Sequence, residues 1–295
     1  MKNALKQCRR VLKPMRWVWM HKRKSAGYFT ALLIFAYTIV FVGVSCAKSP
    51  TDQAMAYPWV DGETRQIAYL EREGGDPDGG RVVLVHGSPA DAGSWMRLLE
   101  QADRIESAQL IAIDRHGYGN STGGDELTLA GHAAAIEPLL AETNSRRPII
   151  VGHSYGGPVA LRTAIEYPER VGGLVLVAGA CDAYMKDAQW FRRLIDAVRI
   201  VVPEDWERAN RELLALTDEN QAMEPMLDRV TCPVVIVHGT WDGVCPHDST
   251  VAYLQGRLVN AASVRVVSIK RARHNLQLTH VDKVIEAINS IESAE

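Results

Sequence analysis

The stretch PIIVGHSYGG, residues 148–157, decides the fold. Its first four residues are apolar and largely β-branched, which predicts a buried strand. Gly152 and Gly156 then flank Ser154, and a helical pattern begins near Gly157. Glycines at these positions let the chain turn sharply without clashes between the turn and the neighbouring strand and helix. The stretch therefore predicts a strand, a tight turn that presents Ser154, and a helix.

Ser154 is the predicted nucleophile of this turn. The residues Gly152-His153-Ser154-Tyr155-Gly156 fit the nucleophile elbow, in which the serine hydroxyl stands above the end of a sheet. The alternative is a passive serine on a tight strand-to-helix turn. Because a serine hydroxyl is a weak nucleophile at neutral pH, the catalytic interpretation requires a base, and that base must be held in one tautomer.

Short apolar runs recur on both sides of the turn and alternate with helical patterns. This rhythm predicts a mostly parallel sheet flanked by helices. RQIAYLE, residues 65–71, alternates like an antiparallel edge strand, and the turn-rich residues 74–80 predict that it forms a hairpin with the following strand. Further buried strands are predicted at 81–87, 109–114, 172–178, 233–239 and 263–269.

Asp242 and His274 are the predicted partners of Ser154. Each follows one of the last two strands, and the order nucleophile, acid, histidine is the one expected when a nucleophile elbow supplies the serine. Asp182 is the reserve acid, after the preceding strand. A turn-forming aspartate and a surface histidine are the alternative interpretations, whereas His86 and His238 are predicted to be packed turn residues.

Two backbone N–H groups are predicted to stabilise the negative charge that acyl transfer places on a carbonyl oxygen. One belongs to Tyr155, directly after the nucleophile. The other belongs to Ser88 in the loop HGSP, because the following Pro89 has no N–H.

The segment 182–229 is too long for a simple crossover between strands and is mostly helical in pattern. We predict that it is a small helical lid over the strand ends, where open α/β sheets bind ligands. A substrate pocket is predicted from four apolar side chains, for which core packing is the alternative: Trp95, Met185, Trp190 and Phe191.

Five motifs in this order resemble those of the α/β-hydrolase superfamily, over roughly Tyr57 to the C-terminus. They are HGSPADAGSW, DRHGYGNS, GHSYGG, GTWDGVCP and RHN, which start at residues 86, 114, 152, 239 and 273. The resemblance implies the α/β-hydrolase fold with a mostly parallel eight-stranded sheet. Serine at the elbow argues against the epoxide hydrolases and haloalkane dehalogenases of this superfamily, which attack with a carboxylate.

The sequence departs from the family pattern in two places. His116 stands where proline is common, and Arg271 and Arg273 precede the histidine where small residues are frequent. The two arginines fit either an anionic substrate or a solvated basic loop.

These features predict a serine hydrolase that cleaves a small or medium carboxylic ester through an acyl-enzyme intermediate. No metal or organic cofactor is expected. The alternatives are a C–C bond hydrolase or an acyltransferase with the same triad, and a non-catalytic tethered binding protein on the same scaffold. The sequence does not indicate an oligomeric state.

Charge divides the chain into two parts. Nine of its 33 lysines and arginines lie within the first 24 residues, which leaves 24 basic against 35 acidic residues and a formal charge of −11 for the rest. An acidic body of this kind is unsuited to nucleic acid, whose phosphates are bound by clustered lysine and arginine.

Residues 26–47 are uncharged and long enough to cross a bilayer as a helix. With a basic leader over 1–25, the positive-inside bias predicts a membrane-anchored protein whose catalytic domain lies on the extracytoplasmic, periplasmic side. A lipoprotein signal ending before Cys46 is the alternative. A tether over 48–56, a hydrolase core over 57–181 and 230–295, and the lid over 182–229 complete the predicted domain organisation.

Cysteines in the body provide one further hypothesis. Cys181 and Cys245 follow strands expected to be neighbours in the sheet, at the same edge, so a disulfide between them is a geometric hypothesis for an oxidising compartment.

Overall fold

A computed structural model describes residues 53–58, 64–184 and 204–292. The predicted basic leader and the membrane segment or lipoprotein signal lie outside these ranges. No helix within these ranges has the length and the apolar character that a bilayer crossing requires.

Eight strands form one sheet, as predicted. They are β1 (Gln53–Pro58), β2 (Thr64–Glu73), β3 (Arg81–Val85), β4 (Gln109–Ile113), β5 (Ile149–His153), β6 (Gly173–Val177), β7 (Val234–Gly239) and β8 (Val264–Ile269). The spatial order is β1-β2-β4-β3-β5-β6-β7-β8. β2 pairs antiparallel with β1 and β4, and every other neighbouring pair is parallel. The carboxyl ends of β3 to β8 therefore meet at one edge.

Helices cover both faces of this sheet. They are α1 (Met96–Leu99), α2 (Leu129–Ile136), α3 (Gly156–Glu166), α4 (Glu204–Met223), α5 (His247–Arg257), α6 (Leu276–Thr279) and α7 (Val281–Glu292). Successive residues of β3 illustrate the two layers, since Val83 and Val85 join one apolar cluster whereas Val82 and Leu84 join the other. This alternation is the period of two that a strand buried on both faces requires.

The predicted hairpin between β2 and β3 is wrong. β2 does not pair with β3, because β4 lies between them, and the antiparallel hairpin is formed by β1 and β2. Residues 53–56, predicted as part of a tether, thus belong to the edge strand β1. Backbone pairing with β2 defines this strand, and QAMAYP lacks the alternation that predicts a strand from side chains.

β8 was predicted to be buried, but its residues are half-buried or exposed. It is the last strand of the sheet and has a neighbour on one side only. Within the predicted lid, residues 182–184 and 204–229 are described. They include α4 and a 3₁₀ helix, Glu224–Arg229. The lid role of this segment stays a prediction.

Candidate active site

The turn after β5 holds Ser154 in a strained conformation. Ser154 has φ of +51°, in the left-handed region that non-glycine residues rarely adopt. A Cβ on Gly152 would lie 2.1 Å from the carbonyl oxygen of Gly156, and a Cβ on Gly156 would lie 2.2 Å from that of Val85. Both glycines are therefore required by close backbone packing, as the sequence pattern predicts.

Ser154, His274 and Asp242 meet at the carboxyl edge of the sheet. The Oγ of Ser154 lies 2.9 Å from Nε2 of His274, and Nδ1 of His274 lies 2.8 Å from Oδ2 of Asp242. These distances allow the Asp242 carboxylate to accept the Nδ1 proton, which leaves the Nε2 lone pair facing the serine hydroxyl. The structure thus brings together the three residues singled out by the sequence.

Asp242 is ionised and forms the last member of this hydrogen-bonded triad. Its Oδ1 accepts hydrogen bonds from the N–H groups of Val244 and Cys245, at 2.8 and 2.9 Å. Burial disfavours the charged carboxylate, but contacts with His238 and His274 outweigh burial and hold the pKa of Asp242 below its usual range. His238, predicted to be a packed turn residue, is fully buried, and its Nε2 also lies 3.4 Å from Oδ2 of Asp242.

Asp182, the reserve acid, has a different role. Its Oδ1 accepts the N–H of Tyr184 at 2.8 Å, which closes a local turn. The carboxylate that reaches His274 is that of Asp242.

The ring of His153 packs between the rings of Trp95 and His274, at 6.5 and 5.1 Å between centroids. Its Nε2 lies 3.3 Å from the carbonyl oxygen of His274. Burial and then the nearby His274 lower the pKa of His153 to about 3, so this ring is neutral at physiological pH.

The two predicted oxyanion donors flank Ser154. Tyr155 follows it directly, and a Cβ on Gly87 would lie 2.9 Å from the Cβ of Ser154, so the HGSP loop touches the nucleophile. Among the described residues, neither the N–H of Tyr155 nor that of Ser88 has a hydrogen-bond acceptor. Both N–H groups thus have the capacity to bind an oxygen atom at this position.

A buried arginine that the sequence analysis did not select holds the Ser88 loop. Arg115 donates from Nε to the carbonyl of His86 at 3.0 Å and from Nη2 to that of Gly87 at 3.1 Å. In a trans peptide the C=O of one residue and the N–H of the next point in opposite directions. Because Arg115 binds the Gly87 carbonyl, the Ser88 N–H points away from Arg115.

Glu212 of α4 neutralises Arg115. Nη1 of Arg115 lies 2.6 Å from Oε1 of Glu212, and both side chains are 1 % exposed. Oε2 of Glu212 accepts from the hydroxyl of Tyr118 at 2.8 Å and from that of Ser88. Arg115 also donates to the Ser88 hydroxyl. One ion pair therefore links α4, the turn after β4 and the oxyanion loop.

This ion pair is charged in the folded protein. Burial alone would raise the pKa of Glu212, but the charge of Arg115 and hydrogen bonds from His132 and Arg115 outweigh burial and hold that pKa below its usual range. The rings of Tyr118 and Tyr155 lie 4.8 and 4.5 Å from the guanidinium carbon of Arg115. The DRHGYGNS motif contains Arg115, but no sequence signal distinguishes Glu212 from the other carboxylates of α4.

Trp95, one of the four residues predicted to line a substrate pocket, is instead a core residue. Trp95 is fully buried in the core cluster with Leu98 and Leu276, and its ring lies 6.5 Å from that of His153 between centroids. Its large apolar surface packs in the core, which was the alternative interpretation. The other three predicted pocket residues, Met185, Trp190 and Phe191, lie outside the described residues.

The hypothesis of a disulfide between Cys181 and Cys245 is wrong in this structure, although β6 and β7 are neighbours as expected. Cys181, Cys232 and Cys245 are free thiols within one apolar cluster. Burial raises the pKa of each, to about 12 for Cys232. Within the described part of the chain, no three histidine, cysteine, aspartate or glutamate side chains are grouped to hold a metal ion.

Comparison with known proteins supports the fold described above. Residues 80–212 match the sequence model of the alpha/beta hydrolase fold family. A thermophilic esterase from Thermogutta terrifontis, solved with malate bound, superposes with a TM-score of 0.61 over 81 % of this chain and 99 % of its own, at 21 % identity. The chain has the fold of the α/β-hydrolase superfamily.

Two curated relatives share short stretches with this chain. A 2-hydroxy-6-oxononadienedioate/2-hydroxy-6-oxononatrienedioate hydrolase of Paraburkholderia phymatum is 34 % identical over 105 residues, which cover 33 % of this chain and 35 % of the relative. The lipase LipV of Mycobacterium tuberculosis is 30 % identical over 118 residues, 40 % of this chain and 43 % of the relative. The matches thus span less than half the length of either relative.

Proposed function

We propose that this protein is a serine hydrolase that cleaves carboxylic esters through an acyl-enzyme. The observation that carries the proposal is the continuous chain from Ser154 Oγ through His274 to Asp242, with both contacts below 3 Å. The small or medium acyl esters expected from the sequence are the proposed substrates.

In acylation, Ser154 Oγ attacks the ester carbonyl carbon while Nε2 of His274 takes the hydroxyl proton. The carbonyl electron pair moves to oxygen, which accepts hydrogen bonds from the N–H groups of Ser88 and Tyr155. Collapse of this intermediate breaks the carbon–oxygen bond to the alcohol. His274 gives its proton to the departing oxygen, and the acyl group stays on Ser154.

Deacylation repeats these steps with water. Nε2 of His274 takes a proton from the water molecule as its oxygen attacks the acyl carbon. The same two N–H groups hold the oxyanion, and Ser154 Oγ then leaves and recovers the proton from His274. Asp242 keeps its negative charge throughout and stabilises the protonated imidazole.

Labelling by a fluorophosphonate probe, together with a panel of chromogenic esters, tests the proposal on the full chain in detergent. We expect one probe molecule per chain on Ser154, no labelling or turnover in Ser154→Ala, and a reduction on the order of 10³-fold or more in His274→Ala. Asp242→Asn is expected to slow turnover by about 10⁴-fold, because the wrong histidine tautomer then faces the serine.

Ser249→Ala is the matched control, because it removes an exposed hydroxyl on α5 outside the site. It should label and turn over esters like the parent protein. A correctly folded parent that neither labels nor turns over any ester would contradict the proposal and favour the non-catalytic binding protein.

A C–C bond hydrolase is the second candidate, favoured by the similarity to the Paraburkholderia phymatum hydrolase. The same triad would serve it. The decisive measurement is turnover of a 2-hydroxy-6-oxo-dienoate, followed by loss of its absorbance, compared with turnover of esters. An acyltransferase is separated from both by product analysis in the presence of an alcohol acceptor.

We further propose that residues 26–47 anchor the enzyme in a membrane with its body on the extracytoplasmic side. The support is the uncharged segment and its basic flank. Protease accessibility of the body in intact spheroplasts tests the orientation, and mass spectrometry of the N-terminus separates an uncut anchor from a lipid-modified Cys46. A body protected in intact spheroplasts and digested after lysis would contradict the orientation.

A further inference from the structure

A cleft lies between the loop that carries Asp242 and the loop that carries His274. Its volume is about 720 Å³, within the range of roughly 300–1,000 Å³ typical of ligand sites. Trp241 and Val244 line one part of it and are 59 % and 53 % exposed. Arg271 and Arg273 line another part. The cleft thus combines exposed apolar surface with two permanent positive charges.

The positive charges of Arg271 and Arg273 are not neutralised by an acidic residue among the described residues that line the cleft. None of its described lining residues is an aspartate or glutamate. The side chains of Arg271 and Arg273 make no ion pair or hydrogen bond with any described residue, whereas Arg162, Arg170 and Arg257 each pair with a glutamate. Two unpaired cations in a cleft of an otherwise acidic body are suited to hold an anion.

The loop fixes Arg271 in place. Its backbone has φ of +61°, and its N–H donates to Oγ1 of Thr240 at 2.9 Å. The Trp241 N–H donates to the carbonyl of Ala272 at 2.9 Å, which joins the two loops. The guanidinium carbon of Arg271 lies 5.7 Å from the centre of a Trp241 ring. Stacking of this kind restricts the arginine side chain while its N–H groups stay available.

The cleft also reaches the triad. His274 is one of its lining residues, and Nε2 of His274 lies 2.9 Å from Ser154 Oγ. A molecule that fills the cleft as far as His274 would therefore lie against a residue that touches the nucleophile.

We propose that this cleft, defined by Trp241, Val244, Arg271 and Arg273, is a subsite for an anionic group, a carboxylate or a phosphate, of the ester substrate. The inference rests on the proposed hydrolase function and adds a substrate class to it: esters that carry a negative charge beside the scissile bond. The two guanidinium groups bind the charge, and Trp241 and Val244 contact the adjacent apolar atoms of the substrate.

Matched pairs of esters test the subsite in the full chain. On the acyl side, mono(para-nitrophenyl) terephthalate, whose carboxylate cannot reach its own ester, is compared with its neutral methyl ester; on the alcohol side, para-acetoxybenzoate is compared with methyl para-acetoxybenzoate. The measured quantity is the ratio of kcat/KM for the anionic ester to that for its neutral partner. We expect Arg271→Ala/Arg273→Ala to lower this ratio by about tenfold for at least one pair.

Lys270→Ala is the matched control. Lys270 is an exposed cation next to Arg271 but does not line the cleft. Its removal should leave the ratio within about twofold of the parent value, because long-range effects of exposed charges are screened by salt. Arg271→Lys/Arg273→Lys should retain part of the preference. If the ratio fell equally in Lys270→Ala, net charge alone would explain the preference, and the subsite proposal would be overturned. An unchanged ratio in Arg271→Ala/Arg273→Ala for both pairs of esters would also overturn it.

A binding measurement separates failure of the subsite from failure of the hydrolase proposal. Ser154→Ala, which lacks the nucleophile, is titrated calorimetrically with intact mono(para-nitrophenyl) terephthalate and with its methyl ester. Preference for the anion that disappears with Arg271→Ala/Arg273→Ala supports the subsite even where fluorophosphonate labelling of the parent fails. Labelling of the parent without any preference for the anionic ester in either assay supports the hydrolase and rejects the subsite.

Discussion

Two arginine sites near the triad, Arg115 in one and Arg271 with Arg273 in the other, differ in burial and in pairing. Arg115 is buried, pairs with Glu212 and donates to two loop carbonyls. Arg271 and Arg273 are exposed, and no described residue pairs with them. The charge of Arg115 holds the oxyanion loop in place. The charges of Arg271 and Arg273 stay accessible to solvent or to a ligand. The comparison separates a charge that positions protein groups from a charge suited to recognition.

Loss of Glu212 is expected to have the largest effect on stability. Glu212→Ala leaves the Arg115 guanidinium buried without a counter-ion, which should lower the free energy of unfolding by about 3–5 kcal/mol. Replacing both charges, in Arg115→Met/Glu212→Leu, should restore much of that loss. Urea denaturation followed by tryptophan fluorescence measures both variants, and a loss below about 1 kcal/mol in Glu212→Ala would contradict a stabilising role of this pair.

A milder change at the same site should appear in the chemistry. Glu212→Gln keeps the volume of the side chain but weakens its hold on Arg115 and the Ser88 hydroxyl. We expect the rate of fluorophosphonate labelling to fall by about tenfold, less than the 10²–10³-fold effect typical of losing an oxyanion donor outright. Glu219→Gln, also on α4, is the control. A normal labelling rate in Glu212→Gln would show that the loop holds Ser88 without this ion pair.

Stability should depend on pH through the same carboxylate. The pKa of Glu212 lies below its unfolded value of 4.5, so the folded state favours the ionised form. This contribution is complete above about pH 4.5 and is lost as the pH falls towards the folded pKa, at about 1.4 kcal/mol for each unit of depression. The difference in unfolding free energy between parent and Glu212→Gln should therefore narrow between pH 6 and pH 3. A constant difference would contradict the depressed pKa.

The two exposed arginines, Arg271 and Arg273, should contribute least to the free energy of unfolding. Arg271→Ala/Arg273→Ala is expected to change the free energy of unfolding by less than about 1 kcal/mol, because the two side chains form no ion pair with a described residue and the contact of Arg271 with the Trp241 ring is exposed to solvent. The same denaturation assay measures it. A loss above about 1 kcal/mol would show that the arginines support the two loops, and the contrast with Arg115 would then fail.

Sequence patterns predicted what depends on local chain geometry. The apolar runs gave the parallel strands, and the elbow with its two glycines gave the position of Ser154. Asp242 and His274 could be predicted because they lie in the loops after β7 and β8. The carboxyl ends of parallel strands share one edge of the sheet, so these loops lie near the turn that carries Ser154. Trp95 shows the limit of this reasoning, since an aromatic residue after a glycine-rich loop fits a core and a pocket equally well.

The remaining features depend on long-range packing. The sequence of β1, QAMAYP, has no alternation of polar and apolar residues, and the position of β4 between β2 and β3 is a property of the whole sheet. Glu212 lies on an amphipathic helix rich in acidic residues, where a buried carboxylate has the same sequence surroundings as a solvated one. Its partner is 97 residues away along the chain.

The three buried thiols make this protein easy to modify at a chosen place. Cys181, Cys232 and Cys245 are shielded in the apolar core, and their raised pKa values keep them in the unreactive protonated form. A cysteine introduced at position 270 would react far faster than these three with a maleimide dye. With Cys8 and Cys46 replaced, a fluorescent reporter beside the cleft is thus obtainable without removing any of these three buried cysteines.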